Sequence, residues 1–547
     1  MYSTLEQGAS AHVDRFARDH LPARRLWPEL CLDAPAPSYP ARLNCAAALL
    51  DAAVAGGGGA RVALRSERGC WTYAELQARV NQICHVLRGP LGLVPGNRVL
   101  LRGANTPLMG AAILAVFKAG CIAVPTMPQL RARELAAIVA KAEVNAVLCA
   151  AALRGEIDAL PAAPPTLCFD GEDAHGNEAP ASLEALMARQ PAHFDACETA
   201  ADDVCLIGFT SGTTGVPKGT MHFHRDLLAI CDCFPRSILE TGPDDIFIGT
   251  PPLAFTFGLG GLLLFPLRVG ASAVLLEKPT PHTLLRAMQD QRATICFTAP
   301  TFYRQMAALA PGYDVSRLQK SVSAGEALPL TTRLAWQEAT GLAMIDGIGA
   351  TELLHIFISA AGAHIRPGAV GKPIPGYRAC ILDQAGHPVG PGVIGRLAVK
   401  GPTGCRYLAD PRQSDYVRDG WNVTGDAFEM DADGYFYYRS RNDEMIISAG
   451  YNIAGPEVEE ALLRHPAVAE CGVTGRADAE RGQIVVAHVV LKPDWAPSER
   501  MALALQAFVK QQIAPYKYPR AVRFVSALPR TETGKLQRFK LRDGGGE

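Results

Sequence analysis

Twelve consecutive residues, Phe209 to Thr220, read Phe-Thr-Ser-Gly-Thr-Thr-Gly-Val-Pro-Lys-Gly-Thr and hold three glycines, five hydroxyls and one lysine. Glycine lets backbone N–H groups approach oxygens closely, hydroxyls add donors and an ammonium adds charge, so the stretch reads as a phosphate-binding loop. Its candidate contacts are Thr210, Ser211, Gly212, Thr213, Thr214, Gly215 and Lys218. It is not a Walker A loop, because Pro217 stands where that pattern has glycine and Lys218 precedes a glycine instead of following one. The expectation is a polyphosphate held in another way; the alternative is a plain Gly/Ser/Thr turn. Further on come Thr351-Glu352, Asp426 after Thr424-Gly425, and Lys535 after Thr533-Gly534. Taken singly, an acid after glycine is a turn residue and a lysine near the C-terminus is a surface one.

The elements around these residues alternate. The apolar run Val204 to Phe209 reads as a buried strand leading into the loop. Before it, Arg61 to Arg65, Arg98 to Leu101, Cys121 to Pro125 and Asn145 to Cys149 read as strands between helices at 73–87, 108–118 and 134–140. Thr72 and Glu75 form a capping box, with Leu76, Val80, Ile83 and Leu87 at helical spacing behind it. After the loop, strands are expected at 246–249, 272–276, 294–298, 320–323 and 343–346, with helices at 227–233, 283–291, 301–310 and 330–340. This pattern predicts an α/β chain with parallel sheets covered on both faces. Ligands of such sheets collect at the carboxyl ends of the strands, where the loops after Phe209, Ser323 and Asp346 fall. Residues 1–45 read as a proline-rich arm over the body, and 152–202 as a variable connection. From Val370 short β segments with Gly/Pro turns predict a small β-rich subdomain over about 370–442. A compact α+β unit follows, so the expected domains are 1–442 and 443–547.

Composition excludes several classes. Fifty-three basic against fifty-four acidic residues give a net charge of −1 with no basic block, which argues against nucleic acid and against an electrostatic hold on membranes. The most apolar stretch, Gly258 to Leu276, is interrupted by Pro266 and Arg268 and reads as core, not as a membrane span. The fifteen cysteines are scattered without a CxxC, as expected of buried thiols in a reducing compartment. Residues 1–21 lack an apolar signal core, so a cytoplasmic location is expected. A homodimer is compatible with the sequence but not read from it.

The loop resembles that of the adenylate-forming superfamily, which includes acyl-CoA synthetases, peptide-synthetase adenylation domains and luciferases. Gly349-Ala350-Thr351-Glu352, Thr424-Gly425-Asp426, Arg439-Ser440-Arg441-Asn442-Asp443 and Pro529-Arg530-Thr531-Glu532-Thr533-Gly534-Lys535 match its other motifs in order. The resemblance implies ATP, Mg2+ and CoA as co-substrates. Glu352 suits Mg2+, which usually takes one or two carboxylates with phosphate oxygens and water. By the same resemblance Asp426 accepts from the ribose hydroxyls with Arg441 helping, and Gly325-Glu326-Ala327 and Asp346-Gly347 wall the adenine. Lys535 reaches the reacting carboxylate and α-phosphate, Asp443 is the hinge of a mobile lid, and Ser448-Ala449-Gly450 meets the pantetheine arm of CoA. Catalysis is thus expected to rest on Lys535, Glu352 and Thr351.

A narrower resemblance concerns the acid. Residues 346–359, Ala299-Pro300-Thr301-Phe302-Tyr303 and Phe257-Gly258-Leu259-Gly260 look like the benzoate-CoA ligase branch. Within it, 401–408 and 448–457 most resemble 2-aminobenzoate-CoA ligases. An aryl acid needs a flat apolar slot with few polar groups. Phe257, Ile348, Gly349, His355 and Ala254 are its expected lining, and Phe257 departs from the tyrosine that benzoate ligases often carry. His355 is either an acceptor for an ortho amine or an ordinary core histidine. His222 and His224 either border the carboxylate or are structural, the latter favoured for His224. The expected activity is ATP-dependent aryl-CoA formation. A free-standing enzyme loading a carrier-protein phosphopantetheine and a non-catalytic adenylate-binding protein are the alternatives. A peptide-synthetase adenylation domain is disfavoured because 254–258 offers no acid for an α-ammonium.

Overall fold

In the computed structural model, the residues described are 9–32, 38–171, 182–210, 217–441, 444–448, 451–478, 481–513, 515–530 and 536–543. Two sheets carry the first part of the chain. One has six strands in the order Thr166–Phe169, Ala146–Ala150, Arg98–Arg102, Ile122–Thr126, Val204–Thr210, Lys218–Phe223; all pairings are parallel except the last. The other has nine strands, with a parallel centre running from Met344–Gly349 through Lys320–Ala324, Ile295–Thr298, Ile246–Gly249 and Ser272–Val274 to Val62–Ser66. Antiparallel strands close both of its edges.

Local sequence sets these elements. Thr72 caps the helix Tyr73–Arg88 through the expected box with Glu75. Thr106 caps Pro107–Lys118 by accepting from Met109 N–H, with Pro107 at the first helical position where its missing donor costs nothing. All twelve residues of that second helix are buried, as befits a helix packed between layers. One apolar core cluster joins its Met109, Ile113 and Phe117 to Leu76 and Ile83 of the first helix, Leu101 and Leu206 of one sheet and Phe247 and Phe297 of the other.

The structure adds elements that the sequence reading left unassigned. The connection 152–202 is not without structure: Thr166–Phe169 is an edge strand of the six-stranded sheet, because Leu167 and Phe169 supply the apolar residues that let it pair with Ala146–Ala150. The glycine-rich stretch after Phe255 is helical from Thr256 to Val269, including a π turn at Gly260–Leu264. Its glycines serve close packing: a Cβ on Gly260 would lie 2.5 Å from the His355 ring. Lys218 and Gly219 do not continue the loop but open a strand that folds back on Val204–Thr210 as a hairpin, so the segment joins two strands and not a strand and a helix.

Beyond residue 370 the sheets are smaller. Arg378–Leu382, Gly395–Lys400, Trp421–Met430 and Val417–Arg418 form an antiparallel sheet with Phe436–Arg441. Ile446–Ser448, Tyr451–Ile453, Gly482–Leu491, Val468–Asp478 and Ala521–Phe524 form another, covered by the helices Gly455–Leu463 and Glu499–Gln512. The N-terminal segment does lie over the body: Asp14 meets Arg98, Ala11 N–H donates to Asp203, and the Trp27 ring packs tilted against Phe223. All cysteines are free, and only Cys70, Cys168, Cys197 and Cys380 are not fully buried. Folding brings Cys45, Cys205 and His224 together, with the Cys45 N–H donating to His224 Nδ1 at 3.1 Å. This buried group ties the segment before the first sheet to Val204–Thr210 and to the first residue of the helix His224–Ser237. No helix among the described residues is long and apolar enough to cross a membrane.

Candidate active site

The carboxyl ends of two strands, one from each large sheet, meet at Gly208 and Thr351. Gly208, near the end of Val204–Thr210, lies where a Cβ would stand 2.9 Å from Thr351 Cγ2 and 4.0 Å from Thr256 Cγ2. Strand, Thr351-Glu352 turn and the helix starting at Thr256 therefore meet at a point where only glycine fits. Of the phosphate-loop residues, Thr210 and Lys218 are described, whereas Ser211, Gly212, Thr213, Thr214 and Gly215 lie outside the described residues. The buried Thr210 hydroxyl has no hydrogen-bond partner among the described residues.

Glu352 is 8 % exposed, and its Oε1 accepts from the Tyr407 hydroxyl at 2.6 Å. The same hydroxyl oxygen accepts from Lys218 Nζ at 3.0 Å, and Lys218 stands 3.7 Å from Glu352 itself. Glu352 Oε2 makes no hydrogen bond among the described residues, so one carboxylate oxygen is spare for the Mg2+ that accompanies ATP, which fits the single-carboxylate share such ions take. Behind this edge, His222 Nε2 donates to the Thr351 carbonyl at 2.8 Å. Arg406 Nη1 donates to Asp226 at 3.0 Å, both side chains fully buried. Burial pushes His222 down to about 4, so it is a neutral donor. His222 thus holds the Thr351 turn, and His224 is fully buried.

Glu326 accepts from the Thr301 hydroxyl at 2.7 Å, which anchors the Gly325-Glu326-Ala327 loop to the helix Pro300–Ala307. Asp346 is buried beside Gly347, and burial lifts its carboxyl to about 7 against the opposing Arg333 guanidinium. Asp426 and Arg441 are direct partners in neighbouring antiparallel strands. The side chain of Arg441 lies outside the description.

The other end of the cleft is aromatic. His355 is ringed by Phe265 at 4.5 Å, Phe257 at 5.6 Å, Phe234 at 5.7 Å and Phe297 at 6.3 Å between centroids. Its Nε2 faces the Phe257 carbonyl at 3.4 Å; a carbonyl only accepts, so the proton sits on Nε2. Nδ1 is then a bare acceptor, buried and without a partner among the described residues. Desolvation takes this imidazole down to about 3 and keeps it neutral. Gly349 touches the same residue, since a Cβ there would stand 2.7 Å from the His355 carbonyl. Ile348 and Ala254 are half-buried on flanking segments. Between the two ends, Leu354 holds φ at 70°, a conformation that side chains other than glycine rarely adopt and that reverses the chain between Glu352 and His355.

Sequence reasoning did not find Phe234, Phe265, Phe297, Tyr407 or Arg530 as neighbours of these residues. Arg530 joins Glu326 at 3.3 Å and Glu470 at 2.8 Å, and Glu470 in turn meets Arg304 at 3.1 Å. This alternating chain of charges brings the C-terminal unit against the helix Pro300–Ala307. Lys535, Asp443, Ala449 and Gly450 lie outside the described residues. Flanking Lys535, Arg530 and Leu536 pair as a bridge. Ser448 is buried, with its hydroxyl unpartnered.

Residues 50–407 match the family described as AMP-binding enzyme, and 457–535 match the AMP-binding enzyme C-terminal domain. The benzoate–CoA ligase of Thauera aromatica is 36% identical over 517 residues, covering 93% of this chain and 97% of that protein. The solved structure of the anthranilate CoA ligase AuaEII in complex with anthranoyl-AMP superposes with a TM-score of 0.86 at 32% identity, covering 92% of this chain and 98% of the other. A benzoate CoA ligase from Burkholderia xenovorans LB400 gives 0.82 at 32% identity, covering 91% and 100%.

Proposed function

We propose, on the premise that this chain belongs to the AMP-binding enzyme family and is an AMP-forming acid–thiol ligase of the aryl-CoA type, that its preferred acid is 2-aminobenzoate. ATP, Mg2+ and CoA are the co-substrates. The acid's carboxylate oxygen attacks the α-phosphorus and pyrophosphate leaves; the CoA sulfur then attacks the acyl carbon and AMP leaves. Bringing a carboxylate to a polyphosphate joins two anions, so the site must neutralise charge and hold the approach in line. In this reading Lys218 and the phosphate-loop donors hold the β- and γ-phosphates, and Mg2+ enters with ATP and is shared with Glu352. Asp426 and Arg441 hold the ribose, while Gly325-Glu326-Ala327 and Asp346-Gly347 wall the adenine. Lys535 comes from the 443–547 lid, which turns about Asp443, and Ser448-Ala449-Gly450 then meets CoA.

The observation that carries the choice of acid is the bare Nδ1 of His355 among four phenylalanines. A buried acceptor without a donor is costly, and an amine ortho to the carboxylate supplies one. Anthranoyl-AMP, bound by the neighbour AuaEII, has that amine. The test is pyrophosphate release with benzoate, 2-aminobenzoate, 3-hydroxybenzoate, phenylacetate and octanoate, each with and without CoA. The expected result is a kcat/KM for 2-aminobenzoate about tenfold above benzoate, the usual worth of one satisfied buried polar group, with octanoate inert. A benzoate preference would overturn it. Adenylation that CoA neither accelerates nor converts to thioester would favour a carrier protein as acceptor.

A further inference from the structure

We propose that Tyr407 is a positioning residue that stands between the Lys218 ammonium and the Glu352 carboxylate and keeps them from closing into a direct ion pair before nucleotide binds. This rests on reading the cleft as the adenylation site.

A phenol can accept and donate at once, and Tyr407 does both: Lys218 Nζ donates to it at 3.0 Å and it donates to Glu352 Oε1 at 2.6 Å. The two charges themselves are 3.7 Å apart, nearly 1 Å beyond the roughly 2.7–2.9 Å of a hydrogen-bonded ion pair. Side-chain exposures of 23% for Lys218 and 10% for Glu352 put them where water screens weakly. Without the hydroxyl nothing holds them apart, and attraction would draw them together. A collapsed pair would have to be broken by every incoming ATP, because Lys218 is wanted by phosphate and Glu352 by the accompanying Mg2+. With the phenol between them, Lys218 keeps two N–H groups and Glu352 keeps Oε2 for the nucleotide.

The ring is held for this purpose from several sides. Tyr407 N–H donates to Gln413 Oε1 at 2.8 Å, and Gln413 Nε2 is itself fixed on the Leu26 and Cys405 carbonyls. Tyr416 packs edge-on at 5.8 Å. The backbone of 406–408 runs beside Lys218–Phe223, with Met221 N–H on the Arg406 carbonyl and Leu408 N–H on the Gly219 carbonyl. Tyr407 and Lys218 therefore move as one piece. Burial and the neighbouring carboxylate drive the hydroxyl far above its ordinary range, so it remains protonated.

The experiment is Tyr407→Phe, which keeps the ring and removes the bridge. ATP binding with Mg2+ is measured by calorimetry without acid or CoA, alongside KM and kcat for pyrophosphate release. Expected are an affinity for ATP about tenfold weaker, a matching rise in KM for ATP, kcat and the KM for acid within about threefold, and an unchanged rate of thioester formation from supplied aryl adenylate. Unchanged ATP affinity would overturn the proposal. So would equal losses in both half-reactions with a lowered melting temperature, the mark of a merely structural ring. In the background of Lys218→Met the Tyr407→Phe change should add almost nothing to the loss of ATP affinity, since no ion pair is left to form; full additivity would also overturn it. If wild-type protein releases no pyrophosphate with any aromatic acid, the proposed function fails, while the calorimetric comparison still decides the role of Tyr407.

Discussion

Under the proposed function Glu352 and His355, three residues apart in the chain, solve opposite problems. At Glu352 the groups are charged and tied to each other through Lys218 and Tyr407, with Asp226 and Arg406 paired behind them. At His355 there is no charge, and one ring nitrogen has no partner. A site for anions must hold its own charges in reserve, because an unpaired buried charge is far more costly than an unpaired dipole. A site for a neutral ring can discriminate with a single unsatisfied acceptor. Leu354, at φ 70°, is the strained turn that lets adjacent residues serve both ends.

The sharpest way to break this contrast is at the charged end. Lys535→Ala is expected to lower adenylate formation by about 10³-fold, in the range seen when one preorganised charge-stabilising donor is lost, while thioester formation from supplied adenylate changes little. Rapid-quench measurement of the two half-reactions checks it, and equal loss in both would remove Lys535 from the first step. Next in size, Asp226→Asn leaves the Arg406 guanidinium buried without its countercharge, and about 3 kcal/mol of stability should be lost; urea unfolding gives the figure. At the aromatic end His355→Leu should cost 2-aminobenzoate about tenfold in kcat/KM and benzoate less than about threefold. A uniform loss would make the histidine mere packing.

Two pH experiments sharpen the comparison further. Because His355 is held neutral down to about 3, the preference between the two acids should stay flat from pH 5 to pH 8. Asp346 behaves differently. Its folded pKa, about 7, lies above the 3.8 of an ordinary aspartate, so the unfolded chain ionises first and stability falls as pH rises between those values, then levels off. Asp346→Asn should remove that part of the slope in thermal melts; an unchanged slope would mean the carboxyl ionises normally.

Much of the scaffold was legible because its signals are local. Thr72 with Glu75 and the apolar runs at 98–101 and 204–209 each specify their own element within a few residues. Motif order was legible as well, since spacing along the chain does not depend on folding. Misreadings came where neighbours decide. The stretch after Phe255 read only as glycine-rich core; that it is a helix shows in the packing, where Phe297 and His355 lie against Gly261 and Gly260. Nothing local told that Lys218 belongs to a strand, which exists only because Val204–Thr210 is there to pair with it.

By itself, then, the chain determined the alternation of strands and helices and the family's motif set, both of which are written in residue type and short-range spacing. Only the tertiary structure decided which nitrogen of His355 is bare, that Tyr407 bridges Lys218 and Glu352 from 189 and 55 residues away, and that four phenylalanines from three segments of the chain surround one histidine. Those outcomes depend on burial and on hydrogen-bond geometry to atoms distant in sequence, and a polar group's state is set by what surrounds it, not by what precedes it along the backbone.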